Sequence, residues 1–151
     1  MMMWSGRRWW RFAAIGVLVF TVPALTGCGG SHPVYPVHGQ IVYEDGSPAT
    51  ELAGGTVTFE SVDHQATAAQ TGVASWGVVQ SDGTFTLGTF KPADGAVPGK
   101  HRVAISPAPD MIEGVMTEPP ISLKYATVEN SGLEAEVTRG RNNIVLTIER
   151  K

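Results

Sequence analysis

The stretch Ala74-Ser-Trp-Gly-Val-Val-Gln-Ser-Asp-Gly-Thr-Phe-Thr-Leu87 decides the fold class of this chain. Apolar and polar residues alternate in it around Asp82-Gly83, a dipeptide typical of tight β-hairpin turns. Alternation with a period of two indicates strands with one buried face, so we expect an antiparallel hairpin here. Trp76 shares a face with Ala74 and Val78, and we predict that this face lies in the core rather than forming an exposed platform for a sugar.

The same period continues along the chain from about residue 35, and no stretch sustains the spacing of a long amphipathic helix. Turn-forming Gly, Asp and Pro residues separate the runs. With polar side chains outward, the pattern predicts an all-β fold, a seven-strand antiparallel sandwich of two sheets. The other alternating runs are Val37, Gly39, Ile41 and Tyr43; Val57 and Phe59; Phe85 and Leu87; His101, Val103 and Ile105; Leu133, Ala135 and Val137; and Ile144, Leu146 and Ile148.

Two connections differ from the short turns that separate the other predicted strands. In Asp94-Gly-Ala-Val-Pro-Gly99, two chain reversals flank a short apolar plug, and Gly99 is predicted to occupy a turn position with positive φ. The segment 107–132 is rich in proline, with only a weak strand candidate at 121–125. Loops of this length are usually functional or mobile, so we keep this excursion as a candidate binding region.

The amino-terminal segment begins with basic residues, continues with an apolar run and ends with small residues. Arg7, Arg8 and Arg11 precede an apolar run from Phe12 to Leu25. This run is shorter than the roughly 20 apolar residues that a membrane-spanning helix needs, so a secretory signal is favoured over an uncleaved anchor. The residues around Arg7-Arg8 depart from the usual twin-arginine context, and general export is the preferred route.

The end of the apolar run, Leu25-Thr26-Gly27-Cys28, resembles the lipobox of bacterial lipoproteins. The resemblance implies cleavage between Gly27 and Cys28, a thioether-linked diacylglycerol on Cys28, and a further acyl chain such as palmitate on the new amino terminus. The predicted organisation is a signal peptide at 1–27, a lipidated tether at 28–34 and a β-sandwich domain at 35–151. We therefore expect a membrane-anchored lipoprotein of the cell envelope that faces the periplasm or the exterior.

Composition excludes several classes of protein. The chain has 151 residues, a net charge of -3 and a single cysteine, so it has no disulfide framework and no basic surface suited to nucleic acid. The expected partners are the membrane, through the lipid on Cys28, and an envelope protein or a glycan.

Several turn and strand motifs together resemble the carboxypeptidase regulatory-like, or transthyretin-like (prealbumin-like), domains of small bacterial lipoproteins. They are Val37-His-Gly-Gln-Ile-Val-Tyr43, Asp45-Gly-Ser-Pro48, Gly54-Gly-Thr-Val-Thr-Phe59, Ser81-Asp-Gly-Thr-Phe-Thr-Leu87 and Asp94-Gly-Ala-Val-Pro-Gly-Lys100, with Lys124-Tyr125, Ser131-Gly-Leu133 and Asn143. The resemblance implies the sandwich fold but specifies activity poorly. The hydroxyisourate hydrolases of this fold carry a Tyr-Arg-Gly-Ser motif at the carboxyl end, which Leu146-Thr-Ile-Glu-Arg-Lys151 lacks.

The sequence offers no catalytic or metal site. His32, His38, His64 and His101 are scattered without metal-ligand spacing and are expected to be exposed or at the rim of the domain, and no nucleophile elbow is present. Glu134 and Glu136 share a predicted solvent face. We therefore predict no enzyme activity and no cofactor, and a structural or binding accessory role. The alternative is a carbohydrate- or peptide-binding module with Phe90 and Tyr125 as candidate ligand contacts.

Overall fold

The computed structural model describes residues 32–64, 72–109, 111–112, 115–116 and 118–151. The predicted signal peptide 1–27, the lipobox with Cys28 and the beginning of the 28–34 tether lie outside these residues. No helix in the described ranges is both long enough and apolar enough to cross a membrane. Residues 31–151 form one compact unit.

The domain consists of strands joined by turns, with two short 3-10 helices at Thr50–Leu52 and Leu123–Ala126. The strands are β1 (Val37–Tyr43), β2 (Thr56–Ser61), β3 (Ala74–Val78), β4 (Thr84–Thr86), β5 (Gly99–Ser106), β6 (Met111–Ile112), β7 (Val115–Met116), β8 (Leu133–Val137) and β9 (Asn142–Ile148).

Seven of these strands form two sheets, in the orders β4-β1-β9 and β3-β2-β5-β8, and β6 and β7 pair only with each other. The predicted all-β, two-sheet sandwich is confirmed. One pair departs from the antiparallel prediction, because β1 and β9 run parallel from Val37 beside Asn142 to Tyr43 beside Ile148. Parallel partners must be far apart in sequence, and here they are the first and last strands of the domain.

The core lies between the two sheets and joins side chains from both. Phe59 on β2 and Phe85 on β4 pack with their ring centroids 6.0 Å apart, a tilted contact across the sandwich. The predicted inward faces of β1, β2, β4, β5, β8 and β9 all point toward this core, and the predicted plug residues Ala96 and Val97 are fully buried. Gly99 has φ +123°, which confirms the predicted turn position.

Strand β3 is the exception, because its outward and inward faces are the reverse of the prediction. Trp76 and Val78 are exposed, whereas Ser75 is buried and Gly77 faces inward. A Cβ on Gly77 would lie 2.3 Å from the carbonyl oxygen of Thr86, so the inner side of β3 has no room for a large side chain. The backbone at the end of β4 fills the space in which the sequence pattern placed the Trp76 ring.

The predicted turn at Asp82-Gly83 is present, and it links the two sheets. Gly83 has φ +77°, and the Gln80 N–H donates to Thr84 at 2.7 Å. In the same register, Trp76 and Gly88 exchange two backbone hydrogen bonds of 3.0 and 2.9 Å. The hairpin therefore closes one side of the sandwich, since β3 otherwise pairs with β2 and β4 pairs with β1.

The long excursion packs against the domain through its second half. Ile121 and Tyr125 are buried in the core cluster, and the buried Ser131 hydroxyl donates to the carbonyl of Val103. The weak strand candidate at 121–125 is instead a 3-10 turn, Leu123–Ala126, which the side chain of Ser122 caps by accepting a hydrogen bond from the N–H of Lys124.

Candidate functional site

The exposed face of β3 presents two large apolar side chains next to each other along the strand. Trp76 is 58% exposed and Val78 is 43% exposed. Trp76 lies opposite Thr58 of β2, so one side of the indole is flanked by the polar outer face of the sheet. Contiguous exposed apolar surface often marks an interaction site, and Trp76 and Val78 are neighbours on one face, which makes this face the first candidate for a binding surface.

The loop after β4 faces Trp76 and is held rigidly by its own hydrogen bonds. The carboxylate of Asp94 accepts three backbone N–H groups, from Thr89 at 2.7 Å, Phe90 at 3.2 Å and Lys91 at 2.9 Å. Thr89 also anchors the loop, because its hydroxyl donates to the carbonyl of Gly95 and lies 2.7 Å from the hydroxyl of Ser75 on β3. Ala93 adopts φ +60°, an uncommon conformation for a residue with a side chain.

Between β3 and this loop lies an open cleft of about 280 Å³. Its walls carry Trp76 and Phe90, which is 52% exposed, and Lys91 supplies a cation at the rim. Among the described residues, the lining of the cleft consists of Trp76, Gly77, Val78, Thr86, Gly88, Thr89, Phe90, Lys91, Pro92 and Ala93. The site is thus an apolar groove with two aromatic rings, slightly below the usual size range of small-molecule pockets.

The floor of the cleft is formed by glycines for a steric reason. A Cβ on Gly88 would lie 2.5 Å from the carbonyl oxygen of Lys91, just as one on Gly77 would meet Thr86. Two backbone segments approach each other closely there, and only glycine permits this approach. The two glycines therefore let the backbone of β3, the end of β4 and the loop pack closely beneath the groove.

The structure separates the two ligand contacts that the sequence suggested. Phe90 lines the cleft, whereas Tyr125 is 3% exposed and does not. The hydroxyl of Tyr125 accepts a hydrogen bond of 3.0 Å from the N–H of Glu149, and its ring packs in the core. This burial contradicts the prediction of a ligand contact at Tyr125, which followed from the position of the residue in a long, proline-rich connection.

Sequence reasoning placed Trp76 in the core and so missed the largest exposed ring of the site. One signal could have found it. The residues that alternate with Trp76 are Ser75 and Gly77, both small, and a strand that points small residues inward must lie close to other backbone on that side.

The histidines form no metal centre, and no group of three or more potential metal ligands is present within the described part of the chain. His38 is exposed, and its Nδ1 lies 3.1 Å from the hydroxyl of Thr86. His32 and His64 make an edge contact with ring centroids 4.4 Å apart. None of these three imidazoles lines the cleft.

His101 is the exception among the predicted rim histidines, because it is only 1% exposed. Its ring packs against Phe59 with centroids 5.9 Å apart, and its Nδ1 lies 3.1 Å from the carbonyl of Gly99. The Nε2 atom is buried without a hydrogen-bond partner among the described residues. Burial lowers the pKa of His101 below its ordinary value, so the imidazole is neutral near pH 7.

The other cluster of titratable groups supports the end of the chain. The hydroxyl of Tyr43 donates to Glu51 at 2.6 Å, and the guanidinium of Arg150 lies over the Tyr43 ring, 3.9 Å from its centroid. Burial and the contact with Glu51 raise the pKa of Tyr43 to about 12. Arg150 also contacts Glu51, with 3.5 Å between Nη1 and Oε1. These contacts hold the carboxyl-terminal residues against β1, and they explain the cluster without a ligand.

Comparison with known proteins finds two distant likenesses among solved structures. No family model matches the chain, and no curated protein matches its sequence. Among solved structures, a DUF3823 family protein from Parabacteroides merdae is similar over 80% of this chain and 48% of its own length, at 13% identity and a TM-score of 0.41. A 9R-lipoxygenase from Cyanothece is similar over 78% of this chain and 17% of its own length, at 11% identity and a TM-score of 0.39. The chain thus spans less than half of each neighbour.

Proposed function

We propose that this chain is a lipid-anchored protein of the cell envelope, and that its β-sandwich domain is a non-catalytic binding module with the Trp76–Phe90 cleft as its binding surface. One observation carries the binding role: two aromatic rings, each more than half exposed, line one groove beside a rigidly bonded loop. Exposed rings can bind a ligand at a small cost in conformational entropy when the loop that carries one of them is already ordered.

The groups at the cleft support binding rather than catalysis. The Thr86 hydroxyl contacts His38, and the Thr89 hydroxyl donates to Gly95, so both are engaged in structural contacts. Among the described lining residues, Lys91 is the one with a charged side chain. The groove thus presents two aromatic rings, backbone groups and one cationic side chain, a combination suited to ligand recognition.

The anchoring part of the proposal rests on the sequence. Leu25-Thr26-Gly27-Cys28 follows a basic head and a short apolar run, and Cys28 is the single cysteine of the chain. These features, together with the resemblance to carboxypeptidase regulatory-like lipoproteins, support a tethered domain that binds its ligand close to a membrane. A cleaved chain would begin at Cys28, and the first residues of the domain would follow after a few tether residues.

Lipid attachment is tested by the intact mass of protein extracted from membranes of the expressing cells. We expect a species that begins at Cys28 and carries the added mass of a diacylglycerol. The Cys28→Ser variant should remain at the precursor mass, whereas a conservative change outside the lipobox, Thr21→Ser, should leave processing unchanged. A mature wild-type species that still begins near Met1 would refute the anchoring proposal.

Binding is tested on a glycan array with soluble residues 29–151. This piece holds its own core, because the buried apolar side chains of the described residues all lie between Val37 and Ile148. We expect retained binding to at least one class of glycan, with loss in Trp76→Ala and in Phe90→Ala. Leu123→Ala is the matched control, because Leu123 is 66% exposed and does not line the cleft. Binding that survives both cleft substitutions would contradict the assignment of the site.

A further inference from the structure

We infer that the ligand of the Trp76–Phe90 cleft is an acidic glycan, a sugar chain whose rings lie against the two aromatic side chains and whose uronic acid carboxylate pairs with Lys91. This inference rests on the proposed binding function and names the class of ligand for the same site. It follows from how the cleft backbone is bonded, from the arrangement of the rings and from the charge at the rim.

The backbone hydrogen bonds at the base of the cleft disfavour an extended peptide as the ligand. A peptide that joins a sheet edge needs free backbone N–H and C=O groups on the edge strand. At Trp76 those groups already pair with Gly88, through hydrogen bonds of 3.0 and 2.9 Å. A peptide strand therefore cannot pair with the backbone of β3 at Trp76, and at that point of the cleft a ligand is recognised by side chains.

The walls fit the apolar faces of sugar rings. Trp76 and Phe90 stand on different elements, one on β3 and one on the loop after β4, with an open groove between them. Rings on both sides of a groove can contact the C–H faces of successive sugars, while the sugar hydroxyls stay in water.

The positive charge at the rim of the cleft favours an anionic ligand. Lys91 is exposed and lines the cleft, and the nearest acidic side chain of the loop, Asp94, directs both carboxylate oxygens at backbone N–H groups. One lysine matches one negative charge. A carboxylate carries one, whereas a phosphate monoester carries nearly two at neutral pH and is usually bound by several cations.

The remainder of the domain makes this preference testable, because its net charge is negative. A general attraction for anions is excluded by that charge, so a preference for an acidic sugar must come from the cleft itself. Removal of the Lys91 charge should then abolish the preference for the acidic sugar without abolishing ring stacking.

The experiment uses the fluorescence of Trp76, the single tryptophan of residues 29–151. The probes are a galactose trisaccharide in which one residue is galacturonate, so that it carries one carboxylate, and the neutral trisaccharide of galactose, titrated in low salt. We expect both to change the Trp76 emission, with the acidic trisaccharide bound about fivefold more tightly, as an exposed ion pair allows. In 0.5 M sodium chloride the difference should shrink, because salt screens a pair at the surface.

The variants separate charge from stacking. Lys91→Met keeps the aliphatic stem and should bind the two trisaccharides equally, whereas Lys91→Arg should keep the preference for the acidic one. Equal binding of both sugars by the wild-type domain would overturn the inference and leave the proposed binding function intact. Tighter binding of mannose 6-phosphate or of hexaglutamate would also overturn it, in favour of a phosphate-bearing ligand or an acidic peptide.

Absence of any change in Trp76 emission with all four probes would likewise overturn the inference. In that case the glycan array decides the binding function separately, since it samples neutral and branched sugars that the titration does not. The two proposals therefore fail under different results.

Discussion

The ring of Phe85 occupies the space that a side chain on Gly39 would need: a Cβ there would lie 2.1 Å from the Cζ atom of Phe85. The two residues are direct partners in the β4–β1 ladder. A glycine in the middle of a strand is costly in chain entropy, but here it allows an aromatic ring to fold over the neighbouring strand and reach Phe59 across the core.

Gly39→Ala should therefore lower the free energy of unfolding by about 1–3 kcal/mol, the usual cost of an overpacked core. Urea denaturation followed by circular dichroism measures the change. The double variant Gly39→Ala with Phe85→Leu should show a coupling energy, because the smaller side chain makes room for the new methyl group. Strictly additive effects of the two changes would contradict the proposed packing.

Gly99→Val should lower the melting temperature by several degrees, because the residue has φ +123° and a β-branched side chain is strained there. A Cβ at Gly99 would also lie 2.5 Å from Oδ2 of Asp63, but that carboxylate ends an exposed side chain and can move away. Gly140→Val is the matched control for strain alone, with φ +119° and no heavy atom within 4 Å of its Cβ position. An unchanged melting curve for Gly99→Val would show that backbone strain at this turn is negligible.

Asp94→Ala should loosen the loop that presents Phe90 and cost about 1–2 kcal/mol, because three backbone N–H groups lose a charged acceptor. Hydrogen exchange at the amides of Thr89, Phe90 and Lys91 should become faster. Asp94→Asn should have a smaller effect, since one oxygen remains to accept. If exchange at these amides stays as slow as in the wild type, the carboxylate does not order the loop.

Acid should destabilise the domain through His101. Burial lowers the pKa of His101 in the folded state below the ordinary 6.5, whereas in the unfolded chain it returns to that value. Below pH 6.5 the unfolded chain binds more protons, so the stabilisation is complete above pH 6.5 and is lost as the pH falls toward the folded-state pKa. Denaturation midpoints at pH 7 and pH 5 measure this loss. His101→Leu should have a flatter pH profile, and an equally steep profile in that variant would assign the loss to other groups.

The sandwich could be predicted well because, in most strands, the apolar residues of the alternating pattern are the ones that are buried. Val57 and Phe59 on β2, and Leu146 and Ile148 on β9, lie where the pattern put them. Their burial follows from local hydrophobicity, which is visible without knowledge of the strand partners.

Strand β3 could not be predicted in this way, because its orientation depends on a neighbour. Trp76 points outward since the backbone around Thr86 crosses close to Gly77, a long-range contact that hydrophobicity alone does not encode. The position of Tyr125 could not be predicted for a related reason. It belongs to a connection with the composition of an open loop, yet its hydroxyl is hydrogen-bonded to the backbone of Glu149 and its ring completes the core.

The parallel pairing of β1 with β9 places a timing requirement on how the domain forms. The β1 strand has no partner on that side until β9 exists, so a ribosome or an export channel that delivers the chain from its amino end must release it as far as Ile148 before the ladder can close. Until then the partners of β1 among the described residues are the short β4 and the segment from Ser47 to Ala49. Truncation of only the final strand should therefore leave the rest of the chain a target for proteases, although most of the core residues would still be present.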